Sequence, residues 1–150
     1  MAVPTNVFGT SIALVDGDFI LATGDFAAVS GYENFGQSLR VIVGTSFGSD
    51  QVNVNYGLDV AAIFTAANSV ASVKDVIRLN LARSLAADDR VREINEIVFD
   101  DEPGFARLAP EFAGGDSGAR ARHGRVWHAV VALTPVDGNQ QQLLVSGVSP

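Results

Sequence analysis

Cysteine is absent from this 150-residue sequence, which removes disulfides, thiolate nucleophiles and cysteine-ligated zinc from consideration. The absence also suits a protein made in a reducing compartment. Lysine is nearly missing: Lys74 is the single one, and arginine carries the remaining positive charge. Arginine's planar, persistently charged fork suits fixed protein contacts, although a GC-rich genome produces the same bias. Cations are scarce altogether. The formal net charge is -7 and the pI about 4.6, the wrong sign for a surface that must gather phosphates. No apolar run reaches the roughly 20 residues that span a bilayer. The first residues, MAVPTNVFGTSIALVDGD, lack the basic stretch and apolar run of a signal peptide. These absences predict a soluble cytosolic product with neither nucleic acid nor membrane as partner.

What remains is ordinary for a folded protein: 47% apolar and 18% charged residues, enough chain to bury a core within one domain over residues 1–150. Ser11 to Val15 and Phe19 to Leu21 are rich in strand formers and flank Asp16-Gly17-Asp18, a tight-turn signal. Gly24-Asp25 follows, so residues 1–31 read as a small hairpin of two or three short strands. Asp16, Asp18 and Asp25 lack the ligand spacing and closing glutamate of a calcium loop. Turn chemistry accounts for them.

Tyr32 to Val43 is predicted to be a helix burying Phe35, Leu39, Ile42 and Val43, ended by Gly44. Gln37 and Arg40 lie off that stripe, as partner contacts or as part of a solvated face. Gln51 to Tyr56 reads as a short extended piece, and Leu58 to Phe64 as a second, short helix. Ser72 to Ala87 is the clearest helix. Ser72 to Asp75 has the form of a capping box, and Val73, Val76, Ile77, Leu81 and Leu85 form the buried stripe. Lys74, Asp75, Arg78 and Arg83 fall outside it. Arg90 to Phe99 reads as a strand with a bulge. Residues 104–124 read as a long mobile insertion, with Phe105, Leu108 and Phe112 as points where it is pinned. Arg125 to Leu133 and Gln141 to Val148, separated by an Asp137-Gly138 turn, complete a three-stranded antiparallel sheet. The predicted class is α+β: an N-terminal β-hairpin, two to three helices and a C-terminal sheet.

No catalytic constellation assembles from these residues, and no cofactor or metal site is expected. His128 lies mid-strand beside Trp127, a structural position. His123 sits in a small basic island with Arg120, Arg122 and Arg125. Ser38 and Ser46 have no nucleophile-elbow context. Glycoside hydrolysis needs two carboxyl groups roughly 5–9.5 Å apart across a sugar-binding cleft. Glu33, Glu93, Glu96 and Glu102 qualify by residue type alone.

The order of segments carries a further signal. A Gly-Asp/Gly-Asp hairpin leads to a G-x-E-N-x-x-Q helix at Gly31, Glu33, Asn34 and Gln37. A Thr-x-x-Gly loop follows at Thr45 and Gly48, then the pair Tyr56-Gly57. This combination resembles the small baseplate wedge subunit of contractile phage tails and related contractile injection systems. The resemblance runs from Gly9 to Arg90, weakens through the sheet and is absent from residues 104–124. It implies a structural protein of the virion tail baseplate, assembled in the host cytoplasm. Such a protein joins the helical core bundle of neighbouring wedge subunits to the tail sheath protein, near central spike, hub or tube proteins, and starts sheath assembly by strand exchange.

The family's Glu-Pro-Arg motif, implicated in docking on the core bundle, matches Asp88-Asp89-Arg90 here, with a shorter acid and no proline. The resemblance thus makes Arg90 an interface residue with Asp88 as its partner or orienter, and adds Tyr56. Helix termination explains Arg90 without any partner. In the last strand, Leu143 and Val145 either face a partner strand or complete the core, and an open edge permits both. Some proteins of this family are described as tail lysozymes. A peptidoglycan-degrading enzyme and a stand-alone binding domain therefore remain the alternatives to a non-enzymatic wedge subunit.

Overall fold

The computed structural model describes residues 7–59, 61, 69–113 and 127–148. Three long strands, β7 (Val91–Phe99), β8 (Trp127–Pro135) and β9 (Gln141–Val148), form an antiparallel sheet in the order β7-β8-β9. Val131 pairs with Ile97 on one side and with Leu143 on the other. The central strand is buried on both faces except at His128 and Thr134, which is why its sequence is a near-continuous apolar run. Two register shifts interrupt β7, between Val91 and Glu93 and between Ile94 and Glu96. The imperfect alternation of its sequence reflects these bulges.

Two helices cover one face. Helix α1 (Gly31–Gly44) buries Phe35, Leu39 and Ile42, and α2 (Val70–Ala86) buries Ile77, Leu81 and Leu85. These side chains join Phe99, Val131, Leu133, Leu143 and Val145 in the main core. Complete burial of one leucine such as Leu81 contributes roughly 1.5–3 kcal/mol. On the opposite face Val98, Val130 and Ala132 meet Phe105, Leu108 and Ala109. Phe105 and Leu108 belong to a single-turn helix, α3 (Phe105–Leu108), and Ala109 links it to a second, α4 (Pro110–Ala113). The stretch expected as a mobile insertion therefore opens with ordered turns, pinned at Phe105 and Leu108. The Phe112 side chain, residues 114–126 and the basic island lie outside the described residues.

Several boundaries differ from expectation, each for a local reason. The cap of α2 is Ser69, whose side chain accepts from the Ser72 amide at 3.2 Å, so the helix begins a turn earlier than a box at Ser72. Helix α1 includes Gly44 and ends where Thr45 turns extended, its hydroxyl donating to the Val41 carbonyl at 2.7 Å. Residues 51–56 are turns rather than a strand, because local amides are satisfied within the segment: the Asp50 carboxylate accepts from Val52 and Asn53, and the Asn53 carbonyl accepts from Tyr56. Most of the expected helix at Leu58 to Phe64 lies outside the described residues.

The N-terminal hairpin is more elaborate than two or three strands. A stem of β1 (Thr10–Ile12) and β6 (Ala28–Ser30) carries two further hairpins. One pairs β2 (Leu14–Val15) with β3 (Asp18–Phe19), the other β4 (Leu21–Ala22) with β5 (Asp25–Phe26). Their sequences, LVDGDF and LATGDF, are a seven-residue tandem repeat. Positive φ at Asp16 and Gly17, and again at Thr23 and Gly24, gives each the two-residue turn that matches strand twist.

Candidate partner interface

The motif residues converge on the place where the N-terminal arm meets the body. Asn34, one turn into α1, is buried and donates to the Phe8 carbonyl at 2.7 Å while accepting from the Ser11 hydroxyl. One turn later Gln37 acts as a surrogate strand. Its amide donates to the Ile12 carbonyl at 2.9 Å and its oxygen accepts from the Leu14 amide at 2.8 Å. Replacing Gln37 with alanine orphans both backbone groups. The expected outcome is faster hydrogen exchange confined to residues 10–30, equivalent to a local loss of about 1 kcal/mol.

Arg90 reaches the same joint from the far end of α2. Its guanidinium grips both oxygens of Asp88, at 2.9 and 2.6 Å. It also donates to the Phe8 carbonyl at 3.3 Å and lies 5.5 Å from the centroid of the Phe35 ring. Asp88 therefore orients Arg90, and the pair ties three chain segments together. Burial works against the Asp88 carboxylate, yet the hydrogen bonds from Arg90 hold it below the usual carboxylate range. Tyr56 stands beside the pair, its phenol pushed up by burial and then by Asp88. Next to it, Gly57 at φ +104° lets the chain pass against Thr45, where Leu58 donates to the Thr45 carbonyl at 2.8 Å.

A second feature lies along β9. Leu143 and Val145 point into the core and are buried, so this strand's side chains complete the fold. Among the described residues its outer edge has no neighbouring strand. A groove of about 250 Å³ lies beside this strand, lined by Gly36 and Arg40 of α1, Ala109 between the two short helices, Glu111 of α4, Val130 of β8, and Gln142, Leu143 and Leu144 of β9. Arg40 and Glu111 are exposed, one basic and one acidic group flanking the same strand. Of the residues singled out in the sequence, Gln37, Asp88, Arg90 and Tyr56 gather at the arm joint. Arg40, Leu143 and Val145 belong to the β9 edge.

Two of the four candidate acids are held in other contacts. Glu102 accepts from the Phe99 amide at 2.9 Å and pairs with Arg78; Glu96 pairs with Arg107 at 2.6 Å. Glu33 and Glu93 are exposed. Among the described residues no three His, Asp or Glu side chains cluster as metal ligands.

Two buried polar side chains leave no signal in the sequence. Lys74 is buried on α2, paired with Asp101 and 5.3 Å from the Phe99 ring centroid, so it is not on a solvated face. Both side-chain oxygens of Asp100 are buried with no hydrogen-bond partner among the described residues. Burial raises its carboxyl above the usual range. A folded-state pKa above the unfolded one means that ionised Asp100 opposes folding at neutral pH. Asp100→Asn is therefore expected to raise the melting temperature at pH 7 by on the order of 2 °C. That gain should shrink as pH falls below the folded-state pKa and vanish below the unfolded value, near 3.9.

No protein-family model matches the chain, and no curated protein matches it. Among solved structures it is similar to the crystal structure of a "putative tail lysozyme" from Geobacter sulfurreducens. The two share 12% identity at a TM-score of 0.44, over 89% of this chain and 97% of that one. A likeness at that level transfers no chemistry.

Proposed function

We propose that this chain is a structural subunit of a contractile-tail baseplate, joining the wedge core to the first sheath ring by interface geometry rather than by catalysis. The observation that carries the reading is the open outer edge of β9, an eight-residue strand beside a groove with Arg40 on one flank and Glu111 on the other. An edge of this kind accepts an extended segment through main-chain hydrogen bonds, and the flanking charges select which segment enters. The sheet supplies a stiff base, since both faces of β8 are packed. The residues that carry the family resemblance support it in a second way. Asn34, Gln37, Asp88 and Arg90 hold the arm, α1 and the end of α2 in one fixed relation, as a part that must transmit force requires.

Exposed flanking residues allow a test that leaves the fold alone. Arg40→Glu should weaken binding of the sheath protein about tenfold or more, with the melting temperature unchanged. Pairing it with Glu111→Arg reverses the flanks and should not restore binding. Wild-type binding by Arg40→Glu, or amides of β9 that gain no protection from hydrogen exchange on adding sheath protein, would remove the edge from the account.

A further inference from the structure

The distal arm is a folded element without a core. Every residue from Val15 to Phe26 is exposed, including Phe19 at 59%, Leu21 at 68% and Phe26 at 52%. Two-stranded hairpins this short are marginal in water, yet both are fixed by matched turns. Asp18 and Asp25 each bind the amide of the following phenylalanine, at 2.8 and 2.7 Å. Phe19 and Phe26 meet edge to face at 5.6 Å between centroids, cross-linking the tandem hairpins. Aromatic and aliphatic side chains grouped on a preorganised projection are what an interface centre needs, because little ordering entropy is lost on binding.

Charge selects the occupant. Asp16, Asp18 and Asp25 are exposed on the arm, and no Lys or Arg precedes Arg40 in the sequence. An anionic lipid surface would repel it. A second copy would bring its own three carboxylates against these. We infer that the arm docks, through Phe19, Leu21 and Phe26, on an apolar protein surface bordered by Lys or Arg. This site is separate from the β9 edge, and its partner need not be the one that engages that strand.

The test uses the full chain in the cells that natively make it, with a photoreactive benzophenone amino acid at position 21 or, as a control, at Val52, which is 97% exposed on another loop. Illumination should couple position 21, and not position 52, to another protein. The coupled peptide, sequenced by mass spectrometry, should carry apolar residues beside Lys or Arg. Changing Asp16, Asp18 and Asp25 to Lys should lower the yield about tenfold or more. Phe19→Ser with Phe26→Ser should lower it comparably, and circular dichroism melting of each variant shows that the body stays folded. A lipid adduct, an adduct to a second copy or to an acidic surface, coupling no stronger than at position 52, or a yield unmoved by charge reversal would each overturn the inference. Loss of sheath binding by the β9 edge with retained coupling here would sink the proposed function alone.

Discussion

Gly57→Ala should cost about 3 kcal/mol or more and leave much of the chain unfolded at 37 °C. Two penalties act at once. A φ of +104° is a region that side-chain-bearing residues rarely enter, and a Cβ would collide with the Thr45 carbonyl oxygen and lie 3.0 Å from the Ser46 carbonyl carbon. Those atoms are backbone and cannot swing aside. Moving them would break the bonds from Leu58 to Thr45 and from Phe47 to Leu58, and would shift the carbonyl of residue 57 that Ser84 of α2 binds at 2.8 Å. Urea unfolding monitored by circular dichroism measures the loss. A variant with wild-type stability would mean that this crossing is looser than described.

Arg90→Ala is the second large effect. The guanidinium is partly exposed, but the Asp88 side chain keeps only a tenth of its surface. Removing Arg90 strands a nearly buried carboxylate and frees the Phe8 carbonyl from one of its two donors. Truncating one partner of a buried pair costs 3–5 kcal/mol; partial exposure here brings the expectation to about 2–3 kcal/mol. The pH dependence follows from the lowered pKa of Asp88. Its contribution is fully present above the unfolded value, near 3.9, and is lost as pH falls through the lower folded value. Stability curves of wild type and Arg90→Ala should therefore converge in that acid range. Curves that stay parallel down to pH 2 would show that the loss comes from packing on Phe35 instead.

Arg90 also shows what sequence can and cannot convey. Its place at the end of a helix and its pairing with Asp88, two residues away, were readable because both are local. The carbonyl of Phe8, 82 residues distant, was not. Gln37 follows the same pattern: a position off the apolar stripe suggested an outward role, whereas its amide reaches backward to backbone atoms of Ile12 and Leu14. Backbone acceptors leave no mark in a sequence. The α+β class, the stripe of α2 and the three-stranded sheet were legible from periodicity, because burial acts on every turn or alternate residue alike. Lys74 defeated that logic, since its stem packs among aromatic rings and its charge meets Asp101, 27 residues on. The tandem hairpins were legible in principle: LVDGDF and LATGDF repeat at an interval of seven, beyond the shared Gly-Asp-Phe.

The β9 groove combines both kinds of information. The strand was visible in the sequence, and so was its availability as an edge. Glu111 was not, because its position depends on α3 and Ala109 folding back over Val98 and Val130, and single-turn helices have too few residues to show a period.

The most direct measurement is affinity purification of the tagged chain from cells producing a complete contractile particle, with wild type and Arg40→Glu side by side. Wild type should bring down wedge and sheath proteins, and Arg40→Glu should keep the wedge proteins while losing the sheath protein. Recovery of no tail protein by wild type from such cells would rule out a baseplate role.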